Sequence, residues 1–198
     1  MRVSAPEPGH VPAAAGVGLA SLAADIVELA AFGSRSGDLQ RLAAARGVTL
    51  PGCGHITTRA RGLALSVRPG RWLLLTAPAA AVSGARSWEE ALAGCGSAVD
   101  LSCALAAFVL SGPAAREMLA RSCRLDLSPQ AFPEGHAAAT IMVQVSVMLG
   151  ALSGSLLLLT PATTARHVHE WLVTTSRPFG VALGPEAGPA DFSGDDRA

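Results

Sequence analysis

The chain has 198 residues, a net charge of zero and a pI near 7.0, which excludes the positive footprint of a nucleic-acid or anionic-membrane binder. Charged residues make up 15% of it, and all fifteen basic ones are Arg. Average globular chains carry about 25%, so part of the surface is expected to be covered by partner chains or by lipid.

Residues 1–20 open with a stretch holding one Arg, an early Glu7, three prolines and no Leu-rich core. That is not an export signal, and it reads as a disordered leader. An N-terminal α+β lobe is expected over residues 21–96. In it, Asp25 to Gly33 reads as a strand, and Ser36-Gly37-Asp38 precedes a helical face of Leu39, Leu42, Ala43 and Arg46 that stops at Gly47. Leu50-Pro51-Gly52 is a turn. Leu63, Leu65 and Val67 alternate before Arg68-Pro69-Gly70, and Trp72 to Thr76 follows, so residues 62–76 read as a hairpin. Ser87-Trp88-Glu89-Glu90 reads as a helix start, with Ser87 as its cap and the two glutamates suited to the positive end of the dipole.

A second α+β lobe is expected over residues 97–181. Phe108 and Leu110 mark a strand leading into Ser111-Gly112-Pro113, with Pro113 suited to the first helical position. Ala115, Met118, Leu119 and Ser122 share one face of the helix, and Arg121 and Arg124 sit near its negative end. Leu125 and Leu127 then alternate with Asp126 and Ser128 as a further extended segment. Residues 137–165 carry no charge, and Ala139 to Thr160 is long enough to span a bilayer. The Ser153-Gly154-Ser155 turn, and Val143, Val145 and Val147 at period 2, argue instead for two buried strands and against a membrane span. A last helix is expected from Pro161 to Ser176, and residues 182–198 read as a flexible tail. The class is α+β, as two small sheet-and-helix lobes rather than one doubly wound sheet.

Chemistry-bearing residues do not converge in the sequence. Cys53, Cys95, Cys103 and Cys123 are widely spaced, which fits reduced thiols in a cytoplasmic protein. Cys53-Gly54-His55 and His167-Val168-His169 lack four-ligand zinc spacing, and no metal site is assigned. Ser111-Gly112-Pro113 could hold an anion at a helix start, but no phosphate-binding pattern surrounds it and a capped helix is preferred. His136 and the serines and cysteines fall in no nucleophile motif. Glu89-Glu90 fits a helix first turn and Asp195-Asp196 a solvated tail, while Trp72, Trp88 and Trp171 read as core or interface anchors. No catalytic, cofactor-binding or metal-binding residue is assigned.

Several phrases occur in a shared order: Pro69-Gly70-Arg71-Trp72-Leu73-Leu74, Val99-Asp100-Leu101-Ser102, Ser111-Gly112-Pro113-Ala114-Ala115-Arg116, Leu125-Asp126-Leu127, Phe132-Pro133-Glu134-Gly135 and Glu170-Trp171-Leu172. Together, over roughly residues 25–180, they resemble the gamma subunit of heterotetrameric sarcosine oxidase. The resemblance implies a reduced form of the folate-binding fold of aminomethyltransferases and an accessory, assembly role. The implied partners are alpha, beta and delta subunits of a complex of one-carbon metabolism that oxidatively demethylates sarcosine or a related secondary amino acid. FAD, FMN, NAD and tetrahydrofolate would sit in those partner subunits, and the family supplies no catalytic residue for this chain. Ile141, Gly150, Cys103 and Thr163-Thr164 depart from the family pattern, which leaves the amine substrate open. The alternatives are a free-standing folate-dependent aminomethyltransferase-like protein and a small membrane protein anchored through residues 139–160.

Overall fold

Among the described residues, eleven strands form two sheets that stack face to face, with two helices on each outer side. The computed structural model describes residues 16–59, 62–78, 82–92 and 94–192. The first sheet contains β2 (Asp25–Ala31), β3 (His55–Arg59), β4 (Gly62–Arg68), β5 (Arg71–Thr76) and β6 (Gly96–Asp100), in the order β3-β4-β5-β2-β6. The second contains β1 (Val17–Leu22), β7 (Leu105–Ser111), β8 (Ala137–Met142), β9 (Val145–Leu152), β10 (Ser155–Pro161) and β11 (Val181–Leu183), in the order β11-β1-β7-β10-β9-β8. Helices α1 (Ser36–Ala45) and α2 (Val82–Ala91) follow strands of the first sheet. Helices α3 (Ala115–Ala120) and α4 (Ala165–Ser176) follow strands of the second.

Alternation within the strands builds three apolar layers. In β10, Leu156 and Leu158 face α3 and α4, where they meet Met118, Leu119, Val168 and Leu172. Leu157 and Leu159 face the other sheet, where Ile26, Leu63, Leu65, Leu73 and Leu75 await them. The opposite faces of β2, β4 and β5 (Val27, Leu29, Ala64, Trp72, Leu74) pack on Leu39, Ala43 and Leu92. A strand covered on both faces reads as a continuous apolar run. The uncharged stretch 137–165 is therefore explained inside the chain: β9 and β10 lie in the middle of four layers and need no lipid or partner to bury them. Among the described residues no helix is long and apolar enough to cross a membrane.

The α+β class, the β4–β5 hairpin, β2, β7, α1 and α4 lie where the pattern predicts. Several expectations need correction. Val17 to Ala20, within the expected leader, are part of β1, and β11 runs parallel to β1 in register Val17↔Val181, within and beyond the expected lobe end. The expected tail is anchored as well, by a Leu22↔Ala187 bridge and a short 3₁₀ turn at Pro189–Phe192, with Phe192 packed on the inter-sheet core. Residues 1–15 and 193–198, including Asp195-Asp196, lie outside the described residues. The two sheets also exchange elements across the expected boundary, since β1 precedes the first sheet in sequence yet joins the second, and β6 runs on past residue 96 in the first.

Helix α2 begins at Val82, so Ser87 sits inside it rather than capping it, and its hydroxyl accepts a hydrogen bond from Arg46 at 2.6 Å. Gly84 within that helix weakens its sequence signal. Pro113 precedes the Ala114 N-cap of α3 instead of opening the helix. Val143 does not continue a strand with Val145: Val143 (φ 50°) and Gln144 (φ 64°) form a tight turn that separates β8 from β9, and the Ser153-Gly154 turn then separates β9 from β10. Finally, residues 121–136 form no strand beyond two isolated bridges, Cys123↔Met142 and His136↔His55.

Candidate functional site

The β4–β5 hairpin carries the most distinctive polar geometry of the molecule. Its ladder shifts register between Leu65 and Arg68, a bulge that re-aims the tip. The buried Ser66 hydroxyl fixes the bulge, lying 2.7 Å from the Arg71 carbonyl oxygen and 3.0 Å from that of Arg68. Gly70 turns the chain at φ 70°, and its carbonyl accepts the Ala31 amide at 2.8 Å, tying the tip to β2. Next to it, the buried Trp72 indole donates to the Pro51 carbonyl at 2.8 Å.

This rigid tip overhangs a cleft of about 210 Å³ between the two sheets. Leu65 and Leu73 form one wall, and Leu101, Leu105 and Met148 the other. At the mouth Arg71 pairs with Glu28 of β2 at 2.5 Å. Arg68, exposed at the same mouth, has no ion-pair partner among the described residues. The cleft is apolar inside with one uncompensated positive charge at its rim, a setting suited to binding.

The Ser111-Gly112-Pro113 segment is used structurally. Gly112 has φ 95°, and a Cβ on it would stand 2.6 Å from the Gly16 carbonyl oxygen. That carbonyl accepts the Ala114 amide at 2.9 Å, so a donor at the start of α3 is already spent on β1. Arg116 points its Nη1 at the carbonyls of Leu127 and Phe132, at 2.7 and 2.8 Å, and thereby holds the loop that leads to β8. A second cavity, near 350 Å³, lies beside this segment and Ser155, whose buried hydroxyl has no partner.

His55 and His136 come together although 81 positions separate them, with ring centroids 4.9 Å apart. They sit where the sheets are stitched by main-chain bonds, Ile56 to Gly135 at 2.9 Å and Ala137 to Gly54 at 2.7 Å. His55 Nδ1 lies 3.2 Å from the Cys53 carbonyl oxygen, and the buried Nδ1 of His136 has no partner. His169 packs against Phe108, and among the described residues no three His, Cys, Asp or Glu side chains group to hold a metal. All four cysteines are free; Cys95 and Cys123 are buried and Cys53 and Cys103 exposed. Trp72 is a core residue, while Trp88 is half-buried beneath the Arg46 guanidinium at 5.0 Å and Trp171 is half-buried beside the α3–α4 core.

Sequence reading missed the cleft. Its Arg68-Pro69-Gly70-Arg71 tip is visible as a turn, but nothing local says that Glu28 and Met148 stand beside it.

Comparison with known proteins bears on this arrangement. No family model matches the chain. The gamma subunit of sarcosine oxidase from an Arthrobacter species is 32% identical over 142 residues, covering 70% of this chain and 69% of that protein. The corresponding subunit of Corynebacterium sp. strain U-96 is 32% identical over 148 residues, 71% of this chain and 70% of that protein. Among solved structures, a chain of the heterotetrameric sarcosine oxidase from Corynebacterium sp. U-96, in complex with pyrrole 2-carboxylate, superposes with a TM-score of 0.75. It is 28% identical, over 89% of this chain and 91% of that one. The glycine cleavage system aminomethyltransferase T from Bartonella henselae shares the fold, with a TM-score of 0.61 and 15% identity; the match covers 86% of this chain and 48% of that one. By these identities and coverages, the chain belongs to the sarcosine oxidase gamma-subunit family.

Proposed function

We propose that the chain is the accessory gamma subunit of a heteromeric, sarcosine-oxidase-type flavoenzyme that oxidatively demethylates sarcosine or a related secondary amino acid, and that its part is structural. The supporting observation is the extent of the likeness, 89% of this chain against 91% of a chain in the heterotetrameric enzyme, so both sheets are included. The site geometry agrees with that reading. The described residues bring together a pair of histidines and an arginine-rimmed cleft that can receive a partner's side chain.

Within this reading each sheet with its two helices is one α+β lobe of a reduced aminomethyltransferase-like fold. The alpha, beta and delta subunits are the partners, and they hold FAD, FMN, NAD and tetrahydrofolate. The complex works in one-carbon metabolism in the cytoplasm, with neither nucleic acid nor membrane as a partner. Co-expression with the alpha, beta and delta subunits of the same organism tests this. The chain is expected to co-elute with the flavin-bearing subunits in a species that produces hydrogen peroxide from sarcosine. Elution as a lone monomer, with the other three assembling without it, would overturn the reading.

The fold shared with aminomethyltransferase T supports a second reading, a free-standing folate-dependent protein. It requires the isolated chain to bind tetrahydrofolate, and calorimetry showing no heat of binding removes it.

A further inference from the structure

We propose that the inter-sheet cleft and the β6 margin beside it form the docking face for a partner subunit, which inserts an apolar side chain flanked by a carboxylate. The proposal rests on the reading of this chain as an accessory subunit and names the surface that reading requires.

Three observations carry it. The first is the cleft itself: Leu65 and Leu73 from one sheet and Leu105 and Met148 from the other enclose about 210 Å³, room for one large side chain. Desolvated pockets of this kind are where anchor residues concentrate binding energy. The second is charge. Arg71 is neutralised by Glu28 at 2.5 Å, whereas Arg68 has no counter-ion among the described residues, so the rim carries one free guanidinium next to an apolar floor. A guanidinium in that setting pairs best with a carboxylate, which it can grip with two parallel hydrogen bonds.

The third is continuity with an edge strand, whose outer face packs on α2 and whose far end is exposed. Val99 stands opposite Glu28 in the β2–β6 register, so it shares the face that opens into the cleft, and it is 47% exposed. Strand β6 is a sheet edge, bonded to β2 alone, and its sole charge is Asp100 at the end. Edge strands are normally blunted by charge, proline or a covering element. Phe32, 52% exposed at the end of β2, hydrogen-bonds to Cys95 just before β6 and extends the same margin. A free small acid would fill the cleft but leave Val99, Phe32 and the β6 edge bare; a protein segment covers them together.

The test uses the full four-subunit complex, with this chain as wild type, Val99→Asp, Arg68→Glu, Arg68→Lys or Leu183→Asp. Leu183 is more exposed than Val99 but lies on β11, in the other sheet. Circular dichroism and melting of each isolated variant confirm that it folds. Val99→Asp and Arg68→Glu are each expected to weaken incorporation at least tenfold in a pull-down on the flavin-bearing subunit, with Leu183→Asp close to wild type and Arg68→Lys, which keeps the charge but loses the two-bond grip, weakened less than Arg68→Glu. Normal incorporation of the folded Val99→Asp and Arg68→Glu variants overturns the docking face and leaves the subunit reading intact. Failure of the wild-type chain to assemble overturns both. A homodimer of the isolated chain that Val99→Asp abolishes, or a small acid retained in the cleft by native mass spectrometry, overturns the proposal when assembly is insensitive to the variants.

Discussion

Oδ1 of Asp100 accepts two hydrogen bonds from Ser102, from its hydroxyl at 2.6 Å and from its amide at 2.9 Å. The same hydroxyl accepts the amide of Ile26 at 3.0 Å, so it relays between the β6–β7 link and the start of β2. These two bonds, the hydroxyl first, hold the Asp100 carboxyl below the usual carboxylate range. The Asp-Leu-Ser tripeptide recurs at Asp126-Leu127-Ser128, where the Ser128 amide closes the same turn on Asp126 at 2.9 Å. Both are side-chain mimics of a backbone turn.

Ser102→Ala is expected to bring the Asp100 carboxyl back toward its ordinary value of about 3.9, read by carboxyl-carbon NMR titration. Loss of the acceptor for Ile26 costs about 1 kcal/mol at pH 7 in urea unfolding. A depressed carboxylate contributes stability above its unfolded pKa and loses it as pH falls through the folded value. The Asp100 share of the difference between wild type and variant is therefore expected to vanish in strong acid, and because Asp100 is exposed that share is small.

Removing Arg116 strands the Leu127 and Phe132 carbonyls that its Nη1 serves. Arg116→Ala is expected to cost about 2 kcal/mol, in the range of hydrogen bonds to charged donors. Hydrogen exchange should quicken across residues 122–136 before the sheets respond. An unchanged exchange pattern there would refute the bracing role.

Gly150 of β9 faces Ile56 of β3 across the two sheets, and a Cβ on Gly150 would stand 2.8 Å from Cδ1 of Ile56. The absence of a side chain at this position therefore makes room for the isoleucine. Gly150→Leu is expected to destabilise by about 1–3 kcal/mol through overpacking. Ile56→Ala in the same chain should recover part of it, a coupling read from a double-mutant cycle of thermal unfolding.

Val143 and Gln144 hold positive φ values that cost L-residues about 1–2 kcal/mol each, most for a β-branched side chain. Replacing the pair with Asn-Gly, the preferred sequence for a two-residue hairpin turn, is expected to stabilise the chain by about 1–2 kcal/mol. For a chain of this size that is a rise in Tm of a few degrees. No rise would mean that the strain is compensated locally.

How much of this was legible follows from where each signal lives. Leu63, Leu65 and Val67 alternate toward a proline-glycine turn, so the hairpin declared itself; Leu39 and Ala43 at helical spacing did the same for α1. Strand β3 did not, because His55-Ile56-Thr57-Thr58-Arg59 buries only Ile56 and so shows no alternating apolar face. Asp126-Leu127-Ser128 imitates a half-buried strand but is a turn, since the aspartate closes on its neighbour's amide. Strands β1 and β11 lie at opposite ends of the sequence and pair only with each other and with β7, so neither end could announce the other.

The sequence by itself determined the class and the family likeness, because residue spacing and ordered phrases are local properties of the chain. Only the tertiary structure decided which strands share a sheet, why 29 uncharged residues in a row need no lipid, and that Arg68, Glu28 and Met148 meet at one cleft, with Val99 opposite Glu28 on the neighbouring strand. Those facts depend on contacts between distant segments, and the free energy of burying two stacked sheets fixes such contacts where no local pattern can.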